Sequence, residues 1–359
     1  YRLALLVSLV LISLTSSLLA QQSRIDSIHR VINSVKSDSV KLELQLELAE
    51  LYLQTDAEKC LDHSKDAIVL AYELDEMWIV PYAYNYIGMS YDDLGRYGEA
   101  LEAYRKAIEI TYSEMKGNPE FEEEYKRDLV VFLNNSGYSE FNRGNISAAM
   151  EYYLQSLDYA DSTSSPDRSA VLGSIAELYY ETGDLRNGKS YAIHAFRSAE
   201  GPGTAYHDAS VLGRILVGEG KPDSARTFYE DWLRLPPKDL TTYDSALTYA
   251  GIAEAFVFEG NLQKADSLYM WSLALARSLN NKLLQSQILE LQSAVSEAQG
   301  RLSLAESQLS QAIDLARSTS SLLVLPALSQ DRADIRGKQG KNTSALEDQR
   351  VAATLRDSV

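Results

Sequence analysis

Apolar positions three and four residues apart recur along this chain in blocks, with short polar stretches between them, and many blocks stop at a glycine. Gly95, Gly144, Gly183, Gly220, Gly260, Gly300 and Gly340 end such blocks, at steps of 49, 39, 37, 40, 40 and 40 residues. Seven residues before each glycine stands a small residue: Gly88, Gly137, Ala176, Gly213, Ala253, Ser293 and Ala333. Five after it stands another: Ala100, Ala149, Gly188, Ala225, Ala265, Ala305 and Ala345. An earlier unit with a shorter turn has Ala49, Cys60 and Ala67 in the matching places. Only 19 glycines occur in 359 residues, so this shared register marks a structural repeat. Each period predicts a helix hairpin. The glycine ends the first helix in a left-handed conformation that a β-carbon resists. The small residues let two antiparallel helices approach, Gly88 facing Ala100, with Tyr91 and Tyr104 filling the space beside them. Asn145, Asp184, Asn261 and Asn342 follow their glycines and are predicted to cap the second helices.

The fullest copy is YNYIGMSYDDLGRYGEALEAYRKAIEI, residues 84–110. It resembles the tetratricopeptide repeat at Tyr84, Ile87, Gly88, Tyr91, Gly95, Tyr97, Ala100, Tyr104 and Ala107. Copies at 133–157 (LNNSGYSEFNRGNISAAMEYYLQSL) and around Gly183 and Gly260 follow it, while the seventh and eighth lose their aromatics. The resemblance spans residues 40–357 and implies an all-α fold: a tetratricopeptide-like α-solenoid, a right-handed superhelix of about eight helix hairpins. A step near 40 exceeds the usual 34 or so and implies helices longer by about a turn and a half. The expected organisation is a signal peptide at 1–20, an N-terminal capping helix at 21–39 and the repeat array at 40–359. GNPEFEEEYKRD, residues 117–128, is expected to lengthen the connection after the second repeat. EGPGTAYHD (200–208) and LPPKDL (235–240) read as loops.

Composition narrows the function. Hydrophobic residues make up 45%, enough for a sizeable core, and the eight prolines are few for so long a chain. A formal charge of -17 argues against binding nucleic acid or an anionic membrane surface. The charge is spread along the chain and reads as a solvated surface. Residues 1–20, YRLALLVSLVLISLTSSLLA, place Arg2 before an apolar run diluted by Ser and Thr, ending on Ala20. This is the form of a secretory signal peptide cleaved after Ala20 and implies export to the periplasm, with a signal anchor that holds the repeats outside the cytoplasm as the alternative. Tyr1 rather than Met fits a start inside a longer reading frame, and RVAATLRDSV at 350–359 reads as a helix without a terminal cap.

No catalytic, metal-binding or cofactor motif emerges, so the chain is expected not to be an enzyme. GEGKP, residues 218–222, fails as a phosphate loop: Ile215 stands where the first glycine belongs and Pro222 replaces the needed Ser or Thr. His29, His63, His194 and His207 lack a ligand partner at i+4. Cys60, the single cysteine, cannot form an internal disulfide and sits at a packing position. Of 23 tyrosines, Tyr91, Tyr104, Tyr153, Tyr179, Tyr229 and Tyr269 take core positions. Tyr82, Tyr138 and Tyr180 fall where first helices face the groove or fill gaps between repeats.

Asn85, Asn134 and Asn135 stand two or three residues before the small residue of their repeats. The family resemblance implies that asparagines there clasp the main chain of an extended peptide, and an amide can match both N–H and C=O. Met89, Tyr138 and Tyr180 add apolar and aromatic contact. Asp92, Glu177, Glu254 and Glu290 are acidic groove candidates, and Arg214 a lone positive one. The expected partner is a protein or peptide, neutral or basic by preference, and no nucleic acid. The favoured setting is the extracytoplasmic sensor region of a bacterial signalling protein, tethered by a membrane segment beyond residue 359. A free-standing periplasmic adaptor is the alternative. A cytoplasmic peptide-sensing regulator, which needs residues 1–20 to be an ordinary helix, and an enzyme stand behind both.

Overall fold

The computed structural model describes residues 23–53, 56–198, 211–232, 242–279, 281–318 and 324–356. The expected leader at 1–20, His207 and the loops at 200–208 and 235–240 lie outside them. The described residues form seventeen α-helices and no strand. Helix α1 (23–34) precedes eight pairs. These are α2 (Asp38–Tyr52) with α3 (Ala57–Leu74), α4 (Val80–Asp93) with α5 (Tyr97–Gly117), and α6 (Glu122–Asn142) with α7 (Ile146–Thr163). Next come α8 (Arg168–Glu181) with α9 (Leu185–Ser198), and α10 (211–218) with α11 (Pro222–Trp232). The last are α12 (Thr242–Phe258) with α13 (Leu262–Ser278), α14 (Lys282–Ala298) with α15 (Leu302–Ser318), and α16 (Leu325–Lys338) with α17 (Asn342–Arg356).

All seven register glycines sit in the turns between first and second helices, with φ from 70° to 81°. At six of them the next N–H bonds the carbonyl five residues back, as from Arg96 to Tyr91 (2.7 Å) and from Asn261 to Phe256 (2.8 Å). That bond closes the helix end only because glycine tolerates the left-handed region. Asn261 Oδ1 accepts from the Lys264 N–H and Asp184 Oδ1 from the Asn187 N–H, as capping requires. Asn342 departs from expectation. It is the first residue of α17, one step inside the helix, and Lys341 takes the flanking position.

The chain divides into two compact units, Tyr1–Glu140 with Leu154–Ser165, and Phe141–Tyr153 with Pro166–Val359. In the first, α1 lays Ile25 and Ile28 on Leu48, Ala49, Tyr52 and Cys60. The Cys60 side chain is fully buried and burial pushes its thiol up, so it packs and does not react. Gly88 meets the Tyr104 ring: a β-carbon on Gly88 would lie 2.4 Å from it. The 49-residue step is absorbed by helix. Helices α5 and α6 each run 21 residues, joined through Asn118 and a 3-10 turn at Pro119–Phe121, so most of 117–128 is the start of α6. Its glutamates suit a helix N-terminus, where the dipole favours negative charge. In the second unit, Ala176, Ala192, Val211, Leu212 and Ile215 form a core between α8, α9 and α10. Tyr229 lies against Gly213 and Gly251 at once.

Candidate functional site

In the first unit, α4 and α6 are tied by three polar contacts along their length. Tyr82 Oη donates to Asp128 Oδ1 (2.8 Å), Asn135 Nδ2 to Asn85 Oδ1 (2.9 Å), and Ser139 Oγ to Asp92 Oδ1 (2.6 Å). Tyr104 Oη adds a bond to Asp92 Oδ2 (2.7 Å). Burial outweighs these two donors and pushes the Asp92 carboxyl up to about 7. Burial likewise pushes Asp128 up to about 6 against the Tyr82 donor.

These bonds give three candidates partners within the chain. Asn135 donates to Asn85, and Asn85 is only 7% exposed. Asn85 Nδ2 also points at Met89 Sδ, 3.5 Å away. Asp92 has both carboxylate oxygens occupied from within the repeats. All three hold α4 to its neighbours, a role that the placement of Asn85, Asn135 and Asp92 in a ligand-facing set did not anticipate. Asn134 is different: its Oδ1 is buried with no hydrogen-bond partner among the described residues. An amide oxygen in that state costs about 1–3 kcal/mol unless something donates to it. Tyr138, one turn further along α6, is 44% exposed.

In the second unit, Arg214 of α10 reaches back to α8. Its Nη1 bonds Glu177 Oε1 (3.1 Å), its Nη2 bonds Glu181, and its guanidinium lies 4.3 Å from the centre of the Tyr180 ring. Glu177, Tyr180 and Arg214 are therefore brought together, but as partners of one another. Burial pushes the Glu254 carboxyl up, against the opposing pull of Arg214. Farther along, burial pushes Glu290 up to about 7, with Asp331 adding like charge. No group of three or more His, Cys, Asp and Glu able to hold a metal occurs among the described residues. A cleft of about 660 Å³ between α16 and α17 is lined by Asp334, Lys338, Asn342 and Leu346 among others, and by none of the groove candidates.

The sequence reading missed Ser139, Asp128 and Glu181. A signal existed for the last: Glu181 stands one helical turn after Glu177, which shares its register position with Arg214 of the next repeat.

A stack of glycine-turned helix pairs, with polar residues tying successive first helices, defines an α-solenoid. The tetratricopeptide repeat family model matches residues 81–110, most of the α4–α5 hairpin. The chain therefore carries a tetratricopeptide repeat there and shares the fold of tetratricopeptide-like α-solenoids. It is similar to the Photosystem I assembly protein Ycf3 of Rippkaea orientalis, 26% identical over 171 residues, which cover 48% of this chain and 76% of that protein. A Rap protein complexed with Competence and Sporulation Factor shares the fold at a TM-score of 0.60 and 14% identity, over 94% of this chain and 98% of that one. The Rap conjugation gene regulator of plasmid pLS20, in complex with the Phr* peptide, does so at 0.62 and 12%, over 94% and 95%.

Proposed function

We propose that this protein is a binding scaffold that captures a peptide or an extended protein segment on the first helices of its repeats. One observation carries the reading: the buried, unpartnered Asn134 Oδ1 beside exposed Tyr138 on α6. Rotation of the Asn134 amide would bring that oxygen to a main-chain N–H of an extended ligand, and the tyrosine would supply rigid contact area. That two similar solved structures are peptide or factor complexes supports the same use of the fold. A neutral or basic ligand fits best, because the chain carries a formal charge of -17. Residues 1–20 support an exported scaffold, in the sensor setting before the free periplasmic one.

The test is to recover partners from the native host with the full chain, then titrate the tightest peptide against the native protein and Asn134→Ala/Tyr138→Ala. The double variant should bind about tenfold more weakly or worse with unchanged helicity. Equal binding by native and variant would remove the amide-and-tyrosine reading. N-terminal sequencing of the host protein checks export, with Gln21 expected first. An apolar run of about 20 residues downstream in the reading frame separates sensor from adaptor.

A further inference from the structure

The first unit exposes a row of large apolar side chains away from the asparagines of α4 and α6. Two first helices are entered through a 3-10 turn, α4 through Met77–Ile79 and α6 through Pro119–Phe121. Each turn carries an aromatic residue in the open: Trp78 is 53% exposed and Phe121 51%. Trp78 stands four residues before Tyr82, and Phe121 four before Tyr125, which is one helical turn in each case. Tyr82 bonds Asp128 and also feels Tyr125, so the starts of α4 and α6 lie side by side. The two exposed rings therefore share one end of the repeats. Tyr72, on the last turns of α3, is exposed too, and the Met77–Ile79 turn packs against α3. A solvated turn is usually polar, and neither ring is needed to fill a core.

Acidic residues outnumber basic ones around these rings, where Lys116, Lys126 and Arg127 are the cations near Phe121 in sequence. Glu73 and Glu76 flank Tyr72 and Trp78, and Trp78 Nε1 donates to Glu76 Oε2 at 2.7 Å. Glu120 and Glu124 flank Phe121, while Lys126 is taken up by Glu122 and Glu123. Among the described residues Glu73, Glu120 and Glu124 have no ion-pair partner. Carboxylates around exposed rings repel nucleic acid and anionic lipid, and they repel a second copy of a chain of charge -17. They complement lysine and arginine, whose cations also settle on aromatic faces.

We propose that Tyr72, Trp78 and Phe121 form a docking edge, separate from the Asn134–Tyr138 wall, for a basic amphipathic segment of a partner protein. Apolar side chains of that segment cover the rings, and its cations meet Glu73, Glu120 and Glu124.

The probe is a Leu/Lys amphipathic peptide of about five helical turns, titrated against the full chain. A Leu/Glu peptide and a Lys-only peptide of the same length are the controls. The Leu/Lys peptide should bind with an affinity that falls as salt rises from about 50 to about 500 mM. Trp78→Ala/Phe121→Ala should weaken it about tenfold, and Asn134→Ala/Tyr138→Ala should leave it within about twofold. Equal binding by the Trp78/Phe121 variant overturns the proposal. So does equal binding of the Lys-only peptide, which would reduce the edge to bulk acidity. A native dimer that the Trp78/Phe121 variant splits into monomers overturns it in favour of contact between copies. Hydrogen exchange on the native protein guards against a variant that misfolds. Slowing on peptide addition at 69–79 and 117–125 supports the edge, and slowing only elsewhere refutes it.

Discussion

Tyr104 and Gly88 show how much of the repeat is decided by single atoms. The Tyr104 ring occupies the place where a methyl on Gly88 would be, and its hydroxyl bonds Asp92. Tyr229 repeats the device against Gly213, where a β-carbon would lie 2.2 Å from the ring. These glycines are required for space. The turn glycines are required for conformation, since a β-carbon on Gly183 or Gly260 would meet nothing within 4 Å. The two causes predict different losses. Gly213→Ala should destabilise by about 1–3 kcal/mol through overpacking, and a smaller residue at Tyr229 should recover part of it. Gly183→Val and Gly260→Val should cost about 1 kcal/mol or more through the left-handed backbone alone, with no such rescue. Urea midpoints of the four variants decide the matter. Equal losses, or rescue of a turn variant by a change at Tyr229, would show that the distinction is wrong. The sequence register identified both glycine sets and put Tyr104 beside Gly88, but spacing reports which residues are small and not how closely a ring approaches them.

At the scale of the element, the last two hairpins are held differently from the middle ones. Tyr104, Tyr153, Tyr229 and Tyr269 occupy one register position and are all buried. Leu309 and Gln349 stand there in the final copies, which is the loss of aromatics seen in the sequence. An ion network takes over part of the work. Asp348, 4% exposed, bonds Arg332 (2.7 and 3.0 Å) and Arg336 (2.8 Å). Arg336 and Lys341 converge on Glu306 of α15. Sequence reading had no access to this, because the partners lie 12 to 35 residues apart and belong to three helices. The candidate site was illegible for a related reason. Asn85 and Asn134 share one register position and Asn135 follows directly, and only packing shows that Asn135 bonds Asn85 while Asn134 keeps an unused oxygen. Removing one partner from a buried network strands the others, so Asp348→Ala should cost about 3–5 kcal/mol. The loss should appear as faster hydrogen exchange in α16 and α17 with little change in α2–α5. Protection in α16 and α17 equal to that of the native protein would mean that the network contributes nothing to holding the last hairpin.

For the whole molecule, charge sets the response to pH. The chain carries -17, and several of its carboxyls are buried in places that resist ionisation: Asp92 and Glu290 are pushed up to about 7 and Asp128 to about 6. In the unfolded chain these groups ionise near 4. Between about pH 4 and pH 7 the folded state therefore holds more protons than the unfolded one, and stability falls as pH rises through that window. Above 7 the penalty is fully present. Lowering the pH from about 8 to about 6.5 should relieve up to about 1 kcal/mol for each of Asp92 and Glu290, which raises the melting temperature by about 2–4 °C per kcal/mol. His63 acts the other way. Burial, with His29 beside it, lowers its pKa below 6.5, so its share of stability is whole above 6.5 and is lost as pH falls further. The melting temperature should thus rise from pH 8 to about 6.5 and flatten or turn below it. Asp92→Asn and Glu290→Gln should each reduce the rise, and His63→Gln should move the turn to lower pH. Scanning calorimetry of the native protein and these variants measures both effects. A melting temperature that is flat or falls between pH 8 and 6.5 would mean that the buried carboxyls do not carry the cost assigned to them.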